Sequence, residues 1–184
     1  MTLTQLTLLT LLGSLVTFWV VGAAGRVKKL RQAIAAAWGQ LDDLLAQRGG
    51  AVDALLAHLH QPLAAEAGTL QALAAIHATQ QEASRAMRSR MGQPEVVAAW
   101  TAAEAALASP LARLMALLEQ HPELAAAAEV QPQVRLLAEQ APRIAYARQG
   151  LATAATAYNQ AITEAPTCWL ARLLGWREVG VGVG

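Results

Sequence analysis

The chain of 184 residues is long enough to bury a core of its own, and its single cysteine excludes an intramolecular disulfide and a thiolate metal site. Hydrophobic residues make up 55% of the chain, but Ala and Leu dominate and only one residue is Phe, which favours helix over sheet. The net charge is +1, and outside one cluster of four basic residues the chain holds ten basic residues against 13 acidic ones, which argues against nucleic acid as a partner.

Residues 1–25 carry no charged side chain. Their apolar run over residues 3–24 just meets the length of about 20 residues that a helix requires to cross a bilayer. Trp19 lies near the end of the run, where interfacial indoles are found. The run therefore predicts a transmembrane anchor at 1–25. A cleaved signal peptide is the alternative, but no Lys or Arg precedes the run, and it is longer than the usual apolar segment of a signal.

A cluster of four basic residues follows the apolar run: Arg26, Lys28, Lys29 and Arg31. Because positive residues follow the run and none precedes it, the positive-inside rule places the domain after it in the cytoplasm. The sequence thus predicts a single-pass protein that contacts the lipid bilayer.

Proline and glycine divide residues 26–166 into four stretches, at Pro62, at Gly92-Gln93-Pro94, at His121-Pro122 and before Pro166. Within the stretches, apolar residues recur at alternating spacings of three and four, as in coiled coils. The core-facing positions so defined are Trp38, Leu41, Leu45, Arg48, Val52, Leu55 and Leu59 in the first stretch, Val96, Trp100, Ala103, Leu107, Leu111, Leu114 and Leu118 in the third, and Val130, Val134, Leu137, Ala141, Ile144, Arg148, Leu151, Ala155, Tyr158 and Ile162 in the fourth.

These patterns predict an all-α fold, in which the N-terminal transmembrane helix is followed by an up-down antiparallel bundle of three to four long helices. The second stretch is the weakest, because Gln80 and Gln81 interrupt it. Pro132 and Pro142 predict kinks or a break in the fourth, since an interior proline removes a backbone hydrogen bond.

An up-down bundle predicts that nine of the 14 basic residues lie at its membrane-proximal end. The nine are Arg26, Lys28, Lys29, Arg31, Arg85, Arg88, Arg90, Arg172 and Arg177. A simpler explanation for Arg85, Arg88 and Arg90 is that basic side chains suit a helix C-terminus. The segment 167–184 holds two Trp and two Arg residues and ends in a Gly-Val repeat that predicts a flexible tail. It either touches the bilayer interface or folds onto the bundle.

Two arginines, Arg48 and Arg148, occupy core-facing positions where an apolar residue is expected. A buried guanidinium must be paired, and Asp42 or Asp43, Glu104 and Glu139 are candidate partners. The pair would then form a polar network that fixes helix register, or a polar groove for a ligand. Alternatively, both side chains reach the bundle edge.

No residue pattern indicates an enzyme, a cofactor or a metal site. His58 and His60 are two positions apart and point in different directions on a helix, and no glycine-rich phosphate loop is present. The adjacent carboxylates Asp42 and Asp43 also diverge on a helix. We therefore expect no catalytic, cofactor-binding or metal-binding residues.

Several blocks resemble the LemA family, bacterial proteins with an N-terminal membrane helix and a helical domain. They are Leu30-Arg31-Gln32-Ala33-Ile34 with Ala37-Trp38, then Leu117 through His121-Pro122-Glu123-Leu124, then Arg143-Ile144-Ala145-Tyr146-Ala147-Arg148, then Tyr158-Asn159, Ala165-Pro166 and Gly175-Trp176. Three positions depart from the family pattern: Asp53-Ala54, Pro142 and Leu151-Ala152.

The resemblance implies a protein of the bacterial inner membrane without an established biochemical activity. Together with the amphipathic helices, it favours a membrane-anchored interaction or scaffold protein whose partner is another membrane-associated protein, with homo-oligomers as a possibility. The alternative is a lipid-binding, membrane-organising protein that acts through its basic membrane-proximal end.

Overall fold

The computed structural model describes residues 3–91 and 93–180, and these residues form helices and no strand, which confirms the all-α prediction. Four helices are long: α1 (Leu3–Leu59), α2 (Ala67–Arg90), α3 (Pro94–Gln120) and α5 (Gln131–Thr163). A 3-10 turn at Ala64–Glu66 and the short helices α4 (Pro122–Ala125) and α6 (Thr167–Leu174) complete the chain. Residues 181–184, on which the end of the predicted flexible tail falls, lie outside the described residues.

Helix α1 runs without interruption from the uncharged segment into the bundle. It passes through Gly49-Gly50, although glycine in a helix interior costs about 1 kcal/mol relative to alanine. A Cβ atom at Gly49 would lie 3.4 Å from Cε1 of His77 on α2, an ordinary van der Waals distance. Gly49 is therefore buried where α1 faces His77 of α2.

The prolines of α5 do not break it. Pro132 lies in the first turn, where a missing N–H removes no helical hydrogen bond. Pro142 lies inside α5, which continues past it to Thr163, and Pro110 lies inside α3 in the same way. The predicted break in the fourth stretch is therefore wrong, because α5 is one continuous helix; the kink that the sequence also allowed stays a prediction.

The four long helices alternate in direction, with α1 packed mainly on α5 and α2 mainly on α3. Their apolar side chains form two clusters stacked along the bundle. The lower cluster, nearer to residues 1–25, includes Trp38, Leu41, Met87, Trp100, Ile144 and Tyr158. The upper cluster includes Leu55, Leu59, Leu73, Leu107, Leu114 and Leu137. Trp38 and Trp100 meet edge to face in the lower cluster, with ring centroids 5.3 Å apart.

The N-terminal part of α1 is apolar and uncovered. Its exposed large hydrophobic side chains are Leu8, Leu11, Leu12, Leu15, Val16, Phe18 and Val21. By length and composition, two of the described helices are apolar enough to cross a membrane, a stretch of α1 from Thr10 and all of α3. Helix α3 places Val96, Trp100, Leu107 and Leu114 in the two clusters, so the bundle core accounts for its apolar character.

Candidate functional site: a polar layer across the bundle

A layer of polar side chains separates the two apolar clusters. Each long helix contributes side chains to this layer. They are Arg48 from α1, Gln80 from α2, Glu104 from α3, and Arg148 and Gln140 from α5. Because Arg48, Gln80 and Glu104 lie between two apolar blocks and are shielded from solvent, the hydrogen bonds among them form where water competes little.

Glu104 and Arg48 form the central ion pair. Nη1 of Arg48 donates to Oε2 of Glu104 at 3.0 Å, and Nη2 donates to Oε1 at 2.6 Å. The side chain of Glu104 is 3% exposed and that of Arg48 is 11% exposed. A two-pronged guanidinium–carboxylate contact of this kind is both strong and specific in geometry. It ties α1 to α3 at one register.

Arg148 makes a second ion pair with the same carboxylate, donating from Nη2 to Oε2 of Glu104. Its guanidinium carbon also lies 5.7 Å from the centroid of the Trp100 ring, a cation–π distance. The side chain of Arg148 is 42% exposed, so this arginine connects the buried layer to the bundle surface. One carboxylate therefore serves two cations, and water reaches the outer one.

Gln80 is the third donor to Glu104. Its Nε2 lies 2.5 Å from Oε1 of Glu104 and 3.0 Å from Oγ of Ser84. On the far side of the layer, Nε2 of Gln140 donates to Oε1 of Gln47 at 2.7 Å. The glutamine that weakened the second stretch in the sequence is thus a buried member of the layer.

The other candidate carboxylates lie elsewhere. Asp42 accepts a hydrogen bond of 2.7 Å from Nε of Arg88, and Glu139 forms an exposed contact of 3.6 Å with Arg135. Of the partners suggested for Arg48 and Arg148, Glu104 contacts both.

A groove of about 320 Å³ opens between α1 and α2 beside the layer. Its lining carries both signs of charge, with Asp42 and Asp53 from α1 and Arg85 and Arg88 from α2. The Arg88–Asp42 pair crosses it and raises the pKa of Arg88, mainly through the hydrogen bond to that carboxylate. The groove is therefore a solvated, charge-balanced surface between the two helices.

His77 lies at the edge of the layer and is buried, with its side chain 3% exposed. Its Nε2 lies 3.1 Å from Oδ1 of Asp53 and 2.8 Å from Nε2 of Gln81, and its Nδ1 has no hydrogen-bond partner. Burial lowers the pKa of His77 from 6.5, and nearby Arg48 lowers it further, while Asp53 acts in the opposite direction. The folded chain therefore favours the neutral imidazole.

We expect acid to destabilise the bundle through His77. Because the pKa of His77 is below 6.5 in the folded chain, the unfolded chain binds more protons in the range beneath that value. The stabilising contribution is complete above pH 6.5 and is lost as the pH falls through the folded pKa. Urea unfolding from about pH 8 to about pH 5 should show a steeper loss for the wild type than for His77→Gln. The exposed His58→Gln is the control, and parallel curves for wild type and His77→Gln would contradict the expectation.

Of the nine basic residues predicted at the membrane-proximal end, Arg88 and Arg31 lie at different heights on the bundle. Arg88 reaches Asp42, which is eleven residues beyond Arg31 on α1, or about 16 Å along the helix axis. Arg31 donates to Oη of Tyr158 at 3.1 Å and lies over the rings of Tyr158 and Trp176. Arg26, Lys28, Lys29, Arg85, Arg90, Arg172 and Arg177 are exposed.

The C-terminal segment folds back onto the lower end of the bundle. The hydroxyl of Tyr158 donates to the carbonyl of Arg177 at 3.2 Å, and Asn159 exchanges two hydrogen bonds with the backbone of Val179, of 3.0 and 2.9 Å. Gly175 ends α6 in the left-handed conformation, with φ of 67°, which reverses the chain direction. Residues up to Val179 are thereby held against α5.

Among the described residues, no group of three or more His, Cys, Asp or Glu side chains is placed to hold a metal ion. His58 and His60 are exposed, His121 contacts Glu123 at 3.3 Å, and Cys168 is half-buried in α6.

Sequence reasoning missed Gln80, Ser84 and Gln140 as members of the layer. The sequence did contain a pattern that indicates Gln80 and Ser84. The alternating spacing of four and three continues through these polar residues in the buried series Leu73, His77, Gln80, Ser84 and Met87. In α5 the buried residue is Gln140, whereas Ala141, the predicted core position, is exposed. The core-facing stripe shifts by one residue there.

A search of curated proteins finds no match to this chain. The model of the LemA family matches residues 37–181. The match starts beside Trp38 on α1 and includes the whole polar layer, α5 and α6. Because it covers most of the chain, the protein belongs to the LemA family.

Proposed function

We propose that this protein is a membrane-anchored scaffold whose helical bundle binds another membrane-associated protein. The observation that carries the proposal is the continuity of α1, which holds the uncharged, uncovered segment and the buried positions from Trp38 to Leu59 in one helix. A partner bound to the bundle would therefore be held at a fixed height above the bilayer. Membership of the LemA family favours the inner membrane of a bacterium. The charge distribution of residues 1–31 favours a bundle on the cytoplasmic side.

The polar layer supports a scaffold role by fixing the register of the helices. Glu104 joins α3 to α1, α2 and α5 through Arg48, Gln80 and Arg148. Buried polar contacts that require one geometry disfavour slipped arrangements of the same helices. A bundle held in this way presents its outer faces in a constant arrangement.

The surface of α5 around Tyr146 is the best-supported contact site for a partner. Tyr146 is 80% exposed, and beyond α1 and outside α6 it is the one large hydrophobic side chain exposed among the described residues. It lies over a shallow groove between α1 and α5 that is lined by Leu44, Pro142 and Arg143. Exposed Tyr and Arg side chains are enriched at the energetic centres of protein interfaces.

Site-specific crosslinking in intact cells tests the proposal. A photoreactive phenylalanine at Tyr146 should capture one membrane-associated protein reproducibly, and the same group at the exposed Glu82 on α2 should not capture it. Tyr146→Ala should abolish co-purification of the captured protein with the full chain. Capture of lipid or of a second copy alone at Tyr146 would contradict the proposal.

The lipid-organising alternative has support from the exposed basic residues Arg26, Lys28 and Lys29, which directly follow the uncharged segment. Arg31 and Arg88 support it less, because both make contacts within the bundle.

A further inference from the structure

We infer that α6 is a second membrane contact, an interfacial helix whose outer face lies in the bilayer beside the α1 anchor. This inference rests on the proposed anchoring of residues 1–25. Three features indicate that the outer face of α6 contacts the lipid interface: the exposed apolar residues of α6, its position at the lower end of the bundle, and the cations around it.

The outer face of α6 is apolar where a soluble bundle would be polar. Trp169 is 66% exposed and Leu173, one turn further on, is 81% exposed. The opposite face places Leu170 and Ala171 in the protein interior. Of the four large hydrophobic side chains exposed beyond Val21 in the described residues, three are in α6, so exposed apolar surface is concentrated there.

The path of the chain places α6 at the bottom of the bundle. Helix α5 passes Arg31 of α1 at Tyr158 and continues downward for more than a turn to Thr163. After α6, the chain returns upward, since Val179 bonds to Asn159. The lowest part of this loop is therefore α6, at the level of α1 residues that precede Arg31.

That level coincides with the end of the uncharged segment. Val27 is only 1% exposed and belongs to the lower cluster together with Ala171 of α6. Ala23 and Trp19, one and two turns below Val27 on the same face of α1, are half-buried. A membrane that ends near Gly25 would place its headgroup region beside α6.

Exposed basic residues outnumber exposed acidic ones around α6, which Glu164 and Glu178 flank, and this balance suits anionic headgroups. Arg172 is exposed on α6, and Arg26, Lys28 and Lys29 are exposed on the adjacent turns of α1. A short helix with Trp and Leu on its outer face and flanking basic residues is typical of helices that lie in the bilayer interface.

Spin-label accessibility in reconstituted full-length protein tests the inference. A nitroxide is placed at Leu173→Cys in a Cys168→Ser background, in bilayers that contain anionic lipid. Matched labels at Leu12→Cys in the anchor and at Gln120→Cys at the upper end of α3 provide lipid and water references. We expect the Leu173 label to collide more often with oxygen than with a water-soluble nickel chelate, at a shallower depth than the Leu12 label. Brominated lipids should also quench part of the tryptophan fluorescence of the wild-type chain, and this quenched part should be absent from the Trp169→Phe variant.

The outcomes separate the two claims. A Leu173 label that is exposed to the nickel chelate while the Leu12 label is in lipid overturns the α6 contact and leaves the anchor in place. A Leu12 label in water overturns the anchor, and the α6 contact with it. A Leu173 label that is shielded from both reagents and broadened by neighbouring spins indicates a second copy on α6, which also overturns the lipid contact.

Discussion

The Glu104→Gln variant should lose about 3–5 kcal/mol of unfolding free energy, the loss typical of a buried ion pair from which one partner is removed. The substitution preserves the size of the side chain but leaves the guanidinium of Arg48, only 11% exposed, without a counter-charge. Arg148 would lose its carboxylate at the same time. Since domains of this kind are stable by about 5–15 kcal/mol in total, the loss should shift the unfolding midpoint substantially.

Two further variants separate charge from shape. Arg148→Met should cost less than about 1 kcal/mol, because the guanidinium of Arg148 is 42% exposed and solvent screens its pair with Glu104. The triple variant Arg48→Met, Glu104→Leu, Arg148→Met removes all three charges and should restore stability to within about 1 kcal/mol of the wild type, or exceed it. The triple variant also tests whether the layer fixes helix register. Loss of native-like crosslinking at Tyr146 in a stable triple variant would show that it does, and unchanged crosslinking would show that it does not.

Urea unfolding of the full chain in detergent micelles measures these effects, with the fluorescence of Trp38 and Trp100 beside the layer as the signal. Glu82→Gln on the exposed surface of α2 is the matched control for loss of one carboxylate. A Glu104→Gln variant as stable as Glu82→Gln would mean that Arg48 finds another partner or water.

The helices and their buried faces were predictable because their apolar residues keep a regular spacing. Every core-facing position predicted in α1 from Trp38 to Leu59 is buried except Arg48, which is partly buried and belongs to the polar layer. The start of α3 was predictable for a local reason, since proline is suited to the first turn of a helix. Proline alone does not mark a helix end, because α3 continues past Pro110 and α5 past Pro142.

The polar layer was only partly predictable, because spacing does not distinguish a buried polar residue from an exposed one. In the sequence, Gln80 looks like an interruption of the apolar pattern in either case, whether its side chain faces solvent or, as in the structure, contacts Glu104. Glu104 itself follows Ala103, the predicted core position, and its burial depends on how α3 is rotated against α1. Arg48 and Arg148 were conspicuous because arginine replaced an apolar residue in an otherwise regular series.

The placement of the basic residues shows a second limit of the sequence. Helix direction predicts at which end a residue lies, but not its height, because neighbouring helices need not end at the same level. Helix α2 ends at Arg90, and its Arg88 meets Asp42 well above Arg31. The contact that draws α2 to that level could not be read from charge alone.

The Leu12→Arg, Leu15→Arg variant should fail to anchor in the membrane. Both leucines are exposed in the middle of the uncharged segment, so their replacement leaves the bundle core untouched. On the insertion scale, each change from Leu to Arg near the bilayer centre costs about 3–4 kcal/mol, so the pair should cost about 6–8 kcal/mol, more than the segment's moderate hydrophobicity can offset. The wild-type chain should remain in the membrane pellet after alkaline carbonate extraction with the mass of the full sequence, and the variant should be extracted or degraded.

The matched control adds the same two charges to the bundle surface, as Gln71→Arg, Ala78→Arg on the exposed side of α2. That variant should remain in the pellet, because neither position contacts the anchor or the lower cluster. If the anchor variant resisted extraction as well as this control, the uncharged segment would not be what holds the protein on the bilayer, and the proposed anchor would be overturned. If the wild-type chain lost residues 1–25 on export, the segment would act as a signal, and the bundle would belong to the opposite side of the membrane.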